Sequence, residues 1–250
     1  MDAMIFAAGL GTRLLPLTDT LPKPLIPVGG VPMLERVARR LIASGVDRIV
    51  INTHHLGDQI EQFVRDRNDF GVKVHVSREL DEPLETGGAL RFAAPHFRRD
   101  APFLIHNADV LSDAPIDALV AAHRDGTLAT LGVLEHATER WLAFDDAGLV
   151  GYAERGTGRE VLVRAARGAL RRHDFTGIHV ASPRLFDLMP EARSFSLMSL
   201  YLKLAAAGER IEPFVFAGCR WLDIGSHAAL ARAQTMFAAP PGRNGSDQPG

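Results

Sequence analysis

A short apolar run over residues 3 to 7 stops at Gly9 and opens into a stretch that no regular helix tolerates. Between Ala8 and Pro32 stand four glycines (Gly9, Gly11, Gly29, Gly30) and five prolines (Pro16, Pro22, Pro24, Pro27, Pro32). Proline removes a backbone donor and clashes with the preceding turn, whereas glycine loses the most entropy on ordering. The chain therefore begins as a buried strand feeding a long loop, and long loops inside folded domains are usually functional.

After Pro32 the pattern becomes regular. Met33, Leu34, Val37, Ala38, Leu41 and Ile42 recur at helical spacing, and Gly45 stops the helix. Residues 48–52, 73–77 and 102–106 read as strands, with helices over 57–67 and 87–95 between them. This alternation predicts an α/β fold, a mainly parallel mixed sheet flanked by helices, with ligands at the carboxyl ends of the strands. Further strands are expected at 128–134, 141–144 and 149–153. The basic stretch from Arg155 to Arg172 reads as hairpins and a mobile, solvated arm. A strand at 175–181, a helix at 195–207, a strand at 211–216 and a helix at 226–238 complete one domain, 1–238. Residues 239–250 are expected to be a disordered tail, because from Pro240 onward there is no aliphatic or aromatic side chain.

Composition narrows the class. The 250 residues are 46% hydrophobic and 23% charged, the mix of a soluble globular protein. Lysine and arginine number 28 against 30 acidic residues, and no block of like charge stands out, so nucleic acid is not an expected partner. Cys219 is the single cysteine, which excludes an internal disulfide or a CxxC metal site and fits a reducing cytoplasm. Asp2 stands where a signal peptide would be basic, and no run of ~18 apolar residues exists to span a bilayer.

The sharpest chemical signal is Ala7-Ala8-Gly9-Leu10-Gly11-Thr12-Arg13, followed by Pro22-Lys23-Pro24-Leu25. Glycines let backbone N–H groups approach a polyanion. Arg13 offers a planar fork, and Lys23, held between prolines, a positioned point charge. Two glycines alone would only shape a loop, but this combination reads as a triphosphate cradle. GxxxxGK[ST] is absent and GxGxxG lacks its third glycine, which weakens P-loop and dinucleotide-binding readings. Asp109 and Asp223 each follow a strand, yet an Asp there can equally be a turn or cap residue, the role expected for Asp113 and Asp117.

The segment 7 to 28, AAGLGTRLLPLTDTLPKPLIPV, resembles the signature of the sugar-1-phosphate nucleotidyltransferases. The likeness continues through Glu82-Pro83-Leu84-Glu85-Thr86-Gly87-Gly88, Asn107-Ala108-Asp109-Val110, Phe175-Thr176-Gly177-Ile178 and Trp221-Leu222-Asp223-Ile224-Gly225. It implies a three-layer Rossmann-like fold and an enzyme that makes an NDP-sugar and pyrophosphate from an NTP and a sugar 1-phosphate, using Mg2+. Residue by residue, it implies that Ala8, Gly9, Gly11, Thr12, Arg13, Glu85, Thr86 and Gly88 bind nucleotide, with Arg13 and Lys23 catalytic. It further implies that Asp109 and Asp223 hold the metal, and that Asn107, Glu154, Arg155, Thr176 and Gly177 bind the sugar phosphate. The Glu85–Gly88 turn is expected to open a helix, with Thr86 as its cap and two glycines admitting a flat ligand.

The phrase Pro-Leu-Glu-Thr-Gly-Gly most resembles the branch that uridylylates N-acetylmuramate 1-phosphate in peptidoglycan recycling, so UTP is the favoured nucleotide. Mannose, glucose or heptose 1-phosphates with GTP or dTTP are alternatives, and a catalytically silent sugar-nucleotide sensor is an alternative of another class. Two departures matter. Ala108 replaces the family's usual glycine and would push a methyl group beside Asp109, and Arg155 stands where a lysine is usual. His54-His55 reads as structural rather than metal-binding, Trp141 and Trp221 as packing that could border the sugar. The sequence leaves open whether the protein is a monomer or a homo-oligomer.

Overall fold

The computed structural model describes residues 1–135, 140–154 and 159–237. The expected tail, Arg155 and the side chain of Glu154 lie outside the described residues. In chain order the elements are β1 (Asp2–Phe6), α1 (Leu17–Thr20), β2 (Pro27–Val28), β3 (Val31–Pro32), α2 (Met33–Ala43), β4 (Arg48–Thr53), α3 (Gly57–Asp66), β5 (Lys73–Arg78), α4 (Glu85–Ala93), β6 (Phe103–Asn107) and β7 (Val110–Ser112). There follow α5 (Ile116–Ala122), β8 (Ala129–Leu134), β9 (Arg140–Asp145), β10 (Gly148–Glu154), β11 (Arg159–Leu162), β12 (Arg171–Ala181), α6 (Leu197–Ala206), β13 (Ile211–Val215), β14 (Trp221–Asp223) and α7 (His227–Met236).

Alternating side chains along the strands divide the core into two layers. In β1, Ala3 and Ile5 enter one hydrophobic cluster with Leu34, Val37 and Leu41 of α2. Met4, between them, enters the other with Leu90 of α4 and Tyr201 of α6. Helices thus cover both faces of a sheet that runs parallel through β5-β4-β1-β6 and turns antiparallel at β12. The register sets Phe6 opposite both Asn52 and Asn107, so the strand ends that open into loops are level.

Strand β12 is eleven residues long and serves two partnerships. Its later half pairs with β6 and β8, and Arg171–His173 pairs with β9, starting an antiparallel arm of β9, β10 and β11. The register breaks between Phe175 and His179, where Gly177 adopts φ +77, a conformation that strains any residue with a Cβ.

The basic stretch differs from its expectation. Arg159–Leu162 is a strand, and β12 begins at Arg171 rather than 175. Three of its arginines pair with the arm's own acids: Arg164 bonds both oxygens of Asp145 at 2.8 and 2.7 Å, Arg172 pairs with Glu160, and Arg171 with Asp146. The Asp145 side chain has no solvent exposure, and Arg164 holds it below the usual carboxylate range. Most of the stretch's described residues are exposed, as a solvated arm requires; what the local run does not reveal is that Asp145 and Asp146, at the β9–β10 turn, anchor Arg164 and Arg171.

Candidate active site

The carboxyl end of β1 delivers the glycine loop. Ala7 N–H, at its root, donates to the Asn52 side chain at 2.9 Å. Gly11 has φ +69, and a Cβ there would stand 2.7 Å from Thr18 Cγ2, so glycine lets the loop fold back on α1. A Cβ on Gly9 would meet nothing within 4 Å. A cavity of about 440 Å³ opens above this loop, and Ala8, Gly9, Gly11, Thr12, Arg13, Lys23 and Asp109 all border it.

Two cations stand in that cavity in different ways. Lys23, in a tight helical turn between Pro22 and Leu25, is buried and donates from Nζ to Asp109 Oδ2. Arg13 is exposed, and its guanidinium lies flat on Gly225, where a Cβ would be 2.8 Å from Nη2. Gly225, unassigned from sequence, is therefore what admits Arg13 to the site.

Asp109 and Asp223 are brought together by a two-stranded antiparallel pair, β7 with β14. Asp223 registers with Val110, and Ile224 N–H donates to the Asp109 carbonyl at 2.9 Å. Asp223 is exposed, yet partial desolvation raises its carboxyl above the ordinary value and so does the Asp109 charge beside it, while Lys23 and Arg13 pull the other way. Two crowded carboxylates of this kind are a fitting donor set for a hard divalent cation. Among the described residues no three His, Cys, Asp or Glu gather as a metal cluster, so water and phosphate oxygens would complete the coordination.

On the other side of this pair lies a second cavity, of about 620 Å³. Asn107, Thr176, Gly177 and Asp223 border it, and Trp141, Tyr152, Phe175 and Trp221 wall it. Gly177 is needed twice over, since a Cβ would also fall 2.6 Å from Asn107 Nδ2. Trp221 is fixed by an Nε1–H bond to the Thr176 carbonyl at 2.9 Å. Tyr152 carried no sequence signal beyond being aromatic on a strand.

The Glu85–Gly88 turn behaves differently from the expectation. Helix α4 does start at Glu85, but Leu84 precedes it with no side-chain cap. Thr86 instead accepts the Leu197 N–H at 3.0 Å, where α6 begins. A Cβ on Gly87 would lie 2.3 Å from the Phe195 ring and one on Gly88 2.3 Å from the Arg193 carbonyl, so the glycines admit the chain's own backbone. Neither cavity is bordered by Glu85, Thr86 or Gly88, and Pro83 is the nearby residue that reaches the first.

His54 and Asp113 are held by contacts within the fold. His54 Nδ1 bonds the Glu79 carbonyl at 2.7 Å, and Asp113 accepts from both the backbone and side chain of Arg220. Ala108 is 1% exposed, packs into the core and borders the first cavity beside Asp109. No helix among the described residues is long and apolar enough to cross a membrane.

Residues 2–142 match the model of the nucleotidyl transferase family. The chain is 32% identical to the N-acetylmuramate alpha-1-phosphate uridylyltransferase of Caulobacter vibrioides, over 94% of this chain and 96% of that one. It is 33% identical to the enzyme of the same name from Neisseria meningitidis serogroup B, over 96% and 99%. In fold it superposes on the inositol-1-phosphate CTP transferase of T. maritima with a TM-score of 0.75, at 20% identity, covering 95% of each chain. The chain belongs to the nucleotidyl transferase family, among its sugar-1-phosphate nucleotidyltransferases.

Proposed function

We propose that this enzyme transfers a uridylyl group from UTP to N-acetylmuramate 1-phosphate and releases pyrophosphate, in cytoplasmic peptidoglycan recycling. The observation that carries the reading is that two cavities of unlike chemistry meet at Asp109 and Asp223. One is floored by glycine backbone with Arg13 and Lys23, as a triphosphate requires; the other is walled by aromatic rings, as a sugar face requires. The choice of UTP and of N-acetylmuramate rests on the two relatives that align over nearly their full length.

The chemistry asks for positioning more than for proton transfer. The second pKa of a phosphate monoester is ~6, so the sugar phosphate arrives largely as a dianion and needs no general base. Its oxygen attacks the α-phosphorus in line, one P–O bond forming as the bond to pyrophosphate breaks. Arg13 forks onto the phosphate oxygens, and Lys23 holds its ammonium beside Asp109 where charge accumulates. Magnesium held by Asp109 and Asp223 would neutralise phosphate oxygens and orient the leaving group. Asn107 and the Thr176–Gly177 bulge orient the acceptor from the second cavity.

The test is pyrophosphate release with magnesium, scanning UTP, GTP, dTTP and CTP against N-acetylmuramate, mannose, glucose and N-acetylglucosamine 1-phosphates. Release is expected chiefly with UTP and N-acetylmuramate 1-phosphate, and a fall of at least about a hundredfold in Asp109→Ala and Asp223→Ala. Preference for another pair would overturn the substrate assignment, and no release with any pair would overturn the activity.

A further inference from the structure

Asn52 and Glu79 belong to none of the motifs above, yet both are only 4% exposed and stand at the carboxyl ends of β4 and β5. Asn52 Oδ1 accepts the Ala7 N–H at 2.9 Å, which fixes its amide nitrogen toward Glu79 Oε1 at 2.7 Å. Glu79 Oε2 accepts the Leu84 N–H at 2.8 Å. Three buried hydrogen bonds in series thus join the root of the glycine loop to the turn before α4. No cation pairs with the Glu79 carboxylate among the described residues, and burying a carboxylate on neutral donors alone is costly.

That cost is spent at a strained place. Glu85, directly after Leu84, has φ +56, a left-handed conformation that a non-glycine residue keeps only when its surroundings hold it there. Glu79 pins the residue before the strain, and Asn52 ties the same carboxylate to the loop that carries Gly9, Gly11 and Arg13. We infer that Asn52 and Glu79 are a positioning pair that fixes the spacing between the glycine loop and the Pro83–Leu84 turn, whose Pro83 borders the first cavity, and so sets the affinity for the nucleotide. This inference rests on the first cavity being the nucleotide site.

The polarity of the relay supplies its own test. Both Glu79 oxygens must accept, so E79Q turns an amide against either the Asn52 nitrogen or the Leu84 N–H, donor facing donor. Adding N52D restores the series: a carboxylate at 52 accepts from Ala7 and from the amide at 79, whose oxygen still takes the Leu84 N–H. Calorimetric titration of the full chain with magnesium UTP is expected to give binding about tenfold or more weaker for E79Q, and within about threefold of wild type for N52D/E79Q. In steady state the KM for the sugar 1-phosphate should stay within about twofold in both.

Equal UTP affinity in wild type and E79Q, even with a lowered melting temperature, would overturn the positioning role. A double variant as weak as E79Q would overturn the relay. A wild-type chain that binds no UTP would instead overturn the functional reading beneath it.

Discussion

The two cavities that meet at Asp109 and Asp223 are built on different principles. The first is made of parallel-strand ends and a glycine loop, with Thr12, Arg13, Lys23 and Asp109 as its polar side chains. The second is walled by side chains from the antiparallel arm and its neighbours, Trp141 and Tyr152 from β9 and β10 with Phe175 from β12. A triphosphate presents the same charges whatever its base, and backbone amides suffice to hold it. Sugars differ by single hydroxyls and substituents, and only side chains discriminate at that scale. The lesson is that one enzyme can hold one half of its site fixed by backbone geometry while the other half varies by side-chain exchange.

The most severe way to break this division is to release the arm. Arg164→Met leaves Asp145 fully buried without its guanidinium, which should cost about 3 kcal/mol in urea unfolding. Because β9 and β10 wall only the second cavity, the KM for the sugar phosphate should rise in this variant while UTP affinity holds. A loss of UTP binding equal to the loss of sugar binding would show that the cavities are not independent.

An effect on stability alone, and a smaller one on the division between the cavities, comes from His106 and His179, on the neighbouring strands β6 and β12. Burial pushes their pKa values down to about 4 and about 3. Unfolded histidine titrates near 6.5, so below that pH the unfolded chain binds more protons than the folded one. Their contribution is complete above about pH 6.5 and is lost as pH falls toward the folded values. The slope should reach about 1.4 kcal/mol per pH unit for each histidine, read from urea midpoints between pH 7 and pH 4. Since neither ring borders a cavity at the Asp109–Asp223 junction, UTP affinity at pH 6 should follow the substrate's own titration rather than this loss. A flat stability profile over that range would contradict the burial argument.

The parallel half of the molecule was legible because its periods are long and unbroken: α2 repeats its apolar face from Met33 to Leu41, and β1 and β4 are short apolar runs between loops. Short elements were not. Strands β7 and β14 have three residues each, too few for any period, yet they are what bring Asp109 and Asp223 together. Helix α5 was missed for the same reason, having only seven residues. Pairings over long separations were also hidden. Thr86 looked like a local cap because its true partner, the Leu197 N–H, lies 111 residues away. Asp109 and Asp223 could be singled out by resemblance alone, since nothing in their local sequence separates them from Asp113, which serves Arg220. Asn52 and Glu79 gave no signal, because a polar residue at a strand end is ordinary until its buried partners are seen.

The central claim is that nucleotide and sugar phosphate occupy separate cavities on either side of the two aspartates. Initial rates over a grid of UTP and N-acetylmuramate 1-phosphate concentrations, measured for Arg13→Ala and Gly177→Ala, test it most directly. Arg13 borders only the first cavity, and a Cβ at Gly177 displaces Asn107 in the second. The account predicts a rise of about tenfold in KM for UTP alone in Arg13→Ala and for the sugar phosphate alone in Gly177→Ala. Both variants raising KM for the same substrate would contradict it.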